Sequence, residues 1–93
     1  MNYQTVIVLL ENMLNQKKSI RFTVIELTKL LTPELEEIFS NLEHYFADED
    51  IRTKETEYKD FQNNELRKLI HYIKVGNLEK ANQISFLQAT PNI

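Results

Sequence analysis

Cysteine and tryptophan are absent from the 93 residues of this chain, and glycine occurs once. Without cysteine there is no disulfide, thiolate metal site or thiol nucleophile, and folding needs no oxidising compartment. Phosphate-cradling loops are built from glycines that this chain lacks. Hairpins also draw on glycine for turns with positive φ. Here the first 75 residues contain none before Gly76, which points to helices joined by short polar turns. Long apolar runs are missing too. The longest, Val6 to Leu10, has five residues, against ~20 for a membrane span. Met1-Asn2-Tyr3-Gln4-Thr5 has no basic start and leads to no small-residue cleavage site, so it does not read as a signal peptide. The expectation is a soluble cytoplasmic protein with no membrane partner.

Charge of one sign is missing from a whole segment. Between Pro33 and Ile51 there is no Lys or Arg, while Glu34, Glu36, Glu37, Glu43, Asp48, Glu49 and Asp50 give these 19 residues a formal charge of −7. The net charge is −3, so the other 74 residues carry +4.

What is present fits a folded domain. Apolar residues make up 42 % and charged residues 27 %, which is ordinary for a globular chain and too apolar for disorder. The length suits one core. We expect a single helical domain over residues 1–89 and a frayed tail over 90–93, at Thr90-Pro91-Asn92.

Tyr3, Val6, Ile7, Leu10, Met13 and Leu14 share one helical face. Val8 and Leu9 fall off that stripe, leaving apolar surface that a homodimer would cover. Lys17 and Lys18 close this helix, where cations suit the negative end of the dipole. Ile20-Arg21-Phe22 alternates like a lone strand or extended link, and Thr23-Val24-Ile25-Glu26 has the form of a capping box. The helix it opens runs to about Leu31 and buries Val24, Leu27, Leu30 and Leu31. Thr32-Pro33 then supplies a cap and a proline at the first helical position. Leu35, Ile38, Phe39, Leu42, Tyr45 and Phe46 form the inward stripe of the third helix. Residues 47–63 read as helix, loop or a polar hairpin over Ile51 to Tyr58. Asn64 caps a helix carrying Leu66, Leu69, Ile70 and Ile73, Gly76 ends it in the left-handed region, and Asn77 restarts a helix through Leu78, Ala81 and Ile84. The fold class is therefore mainly α, a compact domain of four to five helices, with a small β-hairpin near residues 50–60 as an open option.

From Phe22 to Phe46 the pattern resembles the helix-turn-helix core of winged-helix regulators. Glu26-Leu27 and Leu31 lie on the first helix, Thr32-Pro33 makes the turn, and Ile38, Leu42 and Tyr45 take the inward positions of the second. The resemblance covers about a quarter of the chain and rests on apolar spacing. It implies a DNA-reading module whose third helix enters the major groove, but the glycine usual before the wing is lacking. The outward residues Glu34, Glu36, Glu37, Ser40, Asn41, Glu43 and His44 also carry the wrong sign for a phosphate array. Asn41 is the one plausible base reader. A regulator of this kind would have to use another surface, such as Arg52, Lys54 and Lys59 as a wing. The ten residues Tyr72 to Ala81, with a Gly-Asn turn and a small Ala81, resemble the turn of one tetratricopeptide repeat. A solenoid needs at least three such units, so a plain helical hairpin is the reading kept.

Chemistry finds little footing. Ser19, Ser40 and Ser85 have no neighbouring base or nucleophile elbow. Asp48-Glu49-Asp50 lacks the glycine and ligand spacing of a calcium loop. His44 and Asp48 make at most two ligands, and His71 has no obvious second one. No enzyme activity, metal or cofactor is expected.

Dipole accounting explains Glu34, Glu36 and Glu37 at a helix start, but not Glu43 or the Asp48–Asp50 triplet. The expected function is a small non-catalytic regulator or inhibitor acting by protein–protein contact. Its expected contact face is Glu36, Glu37, Glu43, Asp48, Glu49 and Asp50, docking on a basic surface of a partner such as a nucleic-acid-binding protein. A DNA-binding regulator and a structural homodimer are the alternatives.

Overall fold

A computed structural model describes residues 3–87; the tail expected at 90–93 and the start at Met1-Asn2 lie outside them. Six α-helices and one 3-10 turn follow one another: α1 Gln4–Leu14, α2 Ile20–Thr28, the 3-10 turn Pro33–Leu35, α3 Glu36–Ala47, α4 Glu49–Lys54, α5 Thr56–Lys74 and α6 Leu78–Asn82. The long α5 is the centre of the packing, touching α1, α4 and α6, while α1 also packs on α2 and α3 on α6. The Cα radius of gyration is 12.9 Å, close to the ~12 Å of a compact chain this long.

The core draws on every major element. Val6, Ile7, Leu10 and Met13 come from α1, Leu27 from α2, Ile38, Leu42 and Tyr45 from α3, and Leu66, Leu69, Ile70 and Ile73 from α5. These residues lie on the stripes the spacing predicts, but of the four expected from the second helix only Leu27 is buried, Val24 and Leu30 being half-buried. Leu35 of the 3-10 turn, Ala81 of α6 and Ile84 complete it, together with Phe86, which is fully buried and meets the Tyr45 ring edge-on at 5.5 Å. Val8 stands 42 % exposed, as its place off the stripe implies, but Leu9 packs against the core.

Several boundaries differ from the sequence expectation. Ile20-Arg21-Phe22 is neither strand nor link but the first turn of α2, capped by Ser19, whose Oγ accepts from the Phe22 amide at 3.0 Å. Thr23 is no cap: it is fully buried and its hydroxyl donates to the Ser19 carbonyl at 2.9 Å. Glu26 pairs instead with Lys29 at 3.0 Å. The helix stops at Thr28 and leaves Leu31 48 % exposed rather than buried. Thr32 makes no side-chain cap. Pro33 opens the 3-10 turn, and α3 proper begins three residues later.

The hairpin near residues 50–60 is replaced by helix. Among the described residues there is no strand, so the winged-helix resemblance has neither wing nor sheet here. Glu49 and Asp50 fill the first turn of α4 and Arg52 and Lys54 its last, each sign at the dipole end that favours it. Glu55 alone is extended, and α5 starts at Thr56. Asn64 is therefore not a cap but lies inside α5. The end of α5 follows expectation: Gly76 has φ +76°, and the amides of Gly76 and Asn77 donate to the carbonyls of Ile73 and Tyr72 at 3.1 and 2.9 Å, a Schellman closure. The Asn77 side chain then caps α6 through the Lys80 amide.

Candidate functional site

The acidic residues between Pro33 and Ile51 part company once folded. Glu34 accepts the Tyr3 hydroxyl at 2.8 Å, tying the start of α1 to the 3-10 turn. Glu36 and Glu37 are exposed in the first turn of α3 and Glu43 is exposed further along. Glu49 and Asp50 are exposed in the first turn of α4, so the dipole argument that accounts for the early acids covers these two as well.

Asp48 has a different task. It sits at the α3–α4 junction, half-buried, and accepts the Tyr58 hydroxyl at 2.6 Å and Gln62 Nε2 at 3.0 Å. Gln62 is fully buried on the α5 stripe, one turn before Leu66. Its Nε2 also lies 3.1 Å from the Tyr58 oxygen and 3.0 Å from the Phe86 carbonyl, while its Oε1 accepts from Arg52. Arg52 is only 8 % exposed; its Nη1 also donates to the Tyr45 carbonyl, and its guanidinium lies 3.7 Å from the Tyr45 ring centre. One amide thus bridges a carboxylate and a guanidinium, its donor end toward the anion and its acceptor end toward the cation. Burial, reinforced by the bond to the Asp48 carboxylate, pushes the Tyr58 hydroxyl up to about 12. Burial raises Tyr45 as well, against the opposing pull of Arg52, and its hydroxyl donates to Asn63 at 2.8 Å. The cluster joins α3, α4, α5 and the segment after α6. Sequence reasoning missed it because a Gln at a stripe position reads as a break in the pattern.

Two of the six expected contact residues do meet on one feature. Glu36 and Glu43 edge a groove of about 330 Å³ between α2 and α3. One wall is the α2 face Val24, Leu27 and Thr28 together with Leu31 beyond the helix end, and the other is the α3 face Glu36, Phe39, Ser40, Glu43 and Phe46, spaced three and four apart as on a single helical face. The third helix thus has two apolar sides, one sunk in the core and one half-open to the groove. No cation lines it. Glu37 and Asp50 lie outside the groove, Glu49 borders a different depression, and Asp48 is engaged inward.

Among the described residues no group of three His, Asp or Glu is arranged to hold a metal, and no helix is long and apolar enough to cross a membrane. His44 and His71 are both exposed. Arg52, more than nine-tenths buried with its Nη1 bonded to Tyr45 and Gln62, does not project from the surface as a wing residue beside Lys54 and Lys59 would. Comparison with family models, curated proteins and solved structures gives no match.

Proposed function

We propose that this chain is a small non-catalytic regulator that acts by protein–protein contact, seating a basic amphipathic segment of its partner in the groove between α2 and α3. The observation that carries the reading is the groove's composition: an apolar floor left half-open in a small domain, with Glu36 and Glu43 at its edge and no compensating cation. Leu31, nearly half exposed at its end, and the partly buried Phe39 and Phe46 supply apolar anchors of the kind that dominate docking energetics. The carboxylates select the charge of the segment and speed its approach. Within the expected contact face, Glu36 and Glu43 carry the recognition. Glu37, Glu49 and Asp50 add longer-range negative potential, and Asp48 serves the fold.

The test places a photo-crosslinking amino acid at Leu31 in the native host. A discrete adduct is expected, and it is expected to disappear when Glu36→Lys and Glu43→Lys are combined, in a chain that still melts cooperatively, because both side chains are exposed and the loss is confined to the dipole contribution of Glu36 in the first turn of α3. An adduct indifferent to the charge reversal, or no adduct at all, removes the proposal.

A further inference from the structure

A second depression, of about 700 Å³, lies between the α1–α2 link and the helices α4 and α5, and it shares no lining residue with the α2–α3 groove. Its charged lining is Lys17, Lys18, Arg52 and Lys59 against Glu49 and Asp60, a balance of two positive charges in a chain whose net charge is negative. None of these four cations has a carboxylate oxygen within 4.0 Å among the described residues. Arg52 forms part of the wall while being more than nine-tenths buried. Its Nη1 is committed to Tyr45 and Gln62, but no described residue accepts from its Nε or Nη2. Those two nitrogens form the edge of the guanidinium that grips an oxyanion with two parallel hydrogen bonds. The Tyr45 ring beneath the guanidinium and the Gln62 amide fix the fork before any ligand arrives.

The rest of the wall adds to the same chemistry. Lys17 and Lys18 are held by a tight turn in which both amides donate to the Asn12 carbonyl, at 2.8 and 3.3 Å, and Gln16 takes φ +61°. Ser19 and Ile20 bring the first turn of α2 to the rim, where the first amides of a helix have no intrahelical acceptor. Lys18 spends part of its charge on the Phe22 ring, 5.0 Å away. Met13, Leu14 and Ile20 supply an apolar wall.

We propose that this depression binds a small phosphate monoester, with the phosphate on the Arg52 fork, Lys17 and Lys59 neutralising it, and the organic part against Met13, Leu14 and Ile20. A phosphate dianion matches the balance of charge, and the volume exceeds what inorganic phosphate needs. Glu49 and Asp60 stand in the same wall and repel any second phosphate, which disfavours a nucleic-acid backbone. The site is independent of the α2–α3 groove, and the proposal stands whether or not that groove docks a partner.

The test is a titration of the 15N-labelled chain, followed by amide shifts at constant ionic strength, with inorganic phosphate, phenyl phosphate and, as control, chloride. Saturable shifts confined to residues 13–20 and 49–63 are expected, with those of Met13 and Leu14 appearing for phenyl phosphate alone, and with phenyl phosphate binding more tightly than phosphate. Combining Lys17→Glu with Lys59→Glu, both exposed and free of ion pairs, is expected to weaken phenyl phosphate by about tenfold or more, each charge-assisted contact being worth roughly that much. The fold of this variant is read from its unshifted core amides. Arg52→Lys keeps the charge and removes the fork, and its loss of binding is expected to be larger in a chain that still melts cooperatively. Shifts that do not saturate, that chloride reproduces, or that survive the double reversal overturn the proposal. So does binding of duplex DNA without binding of either small phosphate.

Discussion

Gln62 shows how much one side chain can organise. A leucine at this position would continue the α5 stripe toward Leu66. The amide instead ties together Asp48, Tyr58, Arg52 and the Phe86 carbonyl. Each of these groups is wholly or partly removed from water, and each would cost free energy if left unpaired. The buried guanidinium, with no carboxylate within 4.0 Å among the described residues, is held by two oxygens and an aromatic face rather than by an ion pair. Substituting Asp48 therefore strikes stability rather than docking. The Tyr58 hydroxyl reports on this cluster through pH. Its pKa is raised from 10.0 to about 12 in the fold, so above pH 10 the unfolded chain releases this proton first and binds fewer protons than the folded one. Stability from this group is complete below pH 10 and is lost as pH climbs toward 12. Urea unfolding between pH 9 and pH 11.5 is expected to show a falling midpoint, and Tyr58→Phe is expected to flatten the fall. At pH 7 that variant should be about 1–2 kcal/mol less stable, through loss of the bond to the Asp48 carboxylate. An equal alkaline slope in Tyr58→Phe would place the effect elsewhere.

At the scale of elements, what could be read in the sequence depends on whether the apolar period runs unbroken. In α1, in α3 and in the second half of α5 it does, and every buried apolar residue of these segments lies on its stripe, although Tyr3, Leu14, Phe39 and Phe46 of the same stripes are only half-buried. The close of α5 at Gly76 and the start of α6 at Asn77 were equally legible, because φ +76° and a side-chain cap each demand a particular residue type. The first half of α5 was not legible. Its inward positions are Tyr58, Phe61 and Gln62, set among Glu, Lys, Asp and Asn, so a long helix looks like a polar loop. At α2 two caps competed, Ser19 and Thr23. Ser19 prevails because the core needs the Thr23 position fully buried, which leaves only the exposed Ser19 to cap. The candidate site was half legible: the carboxylates stood out, but pairing Glu36 and Glu43 with an open apolar floor required knowing that α2 stops at Thr28. Gly76 gives this scale its prediction. A Cβ there meets nothing within 4 Å, so Gly76→Ala carries only the backbone penalty of a left-handed residue. A loss of about 1 kcal/mol is expected, without change in the spectrum of the core. A loss several times larger would mean that the turn packs more tightly than its open surroundings allow.

Across the whole molecule, charge and shape divide the surface into two grooves of opposite character. The acidic one lies along α3, the helix that would read DNA in the winged-helix resemblance. The basic one lies where α4 and α5 replace the hairpin that would have been the wing. Each departure from that resemblance lowers affinity for a polyanion. The α3 surface presents Glu36, Glu37 and Glu43 to the phosphates, its one candidate base reader, Asn41, donates its amide to the Asn82 carbonyl at 3.1 Å, and Arg52 lies in the wall of a depression rather than projecting toward a duplex. Non-specific DNA binding depends on releasing counterions through many cation contacts along a groove. Here the clustered cations share their walls with Glu49 and Asp60. Fluorescence anisotropy with a labelled random duplex at low salt is therefore expected to show no binding at tens of micromolar protein, a range in which non-specific complexes typically form. The variant combining Glu36→Lys, Glu37→Lys and Glu43→Lys is expected to acquire weak, salt-sensitive binding, because it inverts the sign of the exposed face of α3. Binding by the unaltered chain would show that the basic depression accepts a phosphate backbone, and would return the domain to the DNA-binding class.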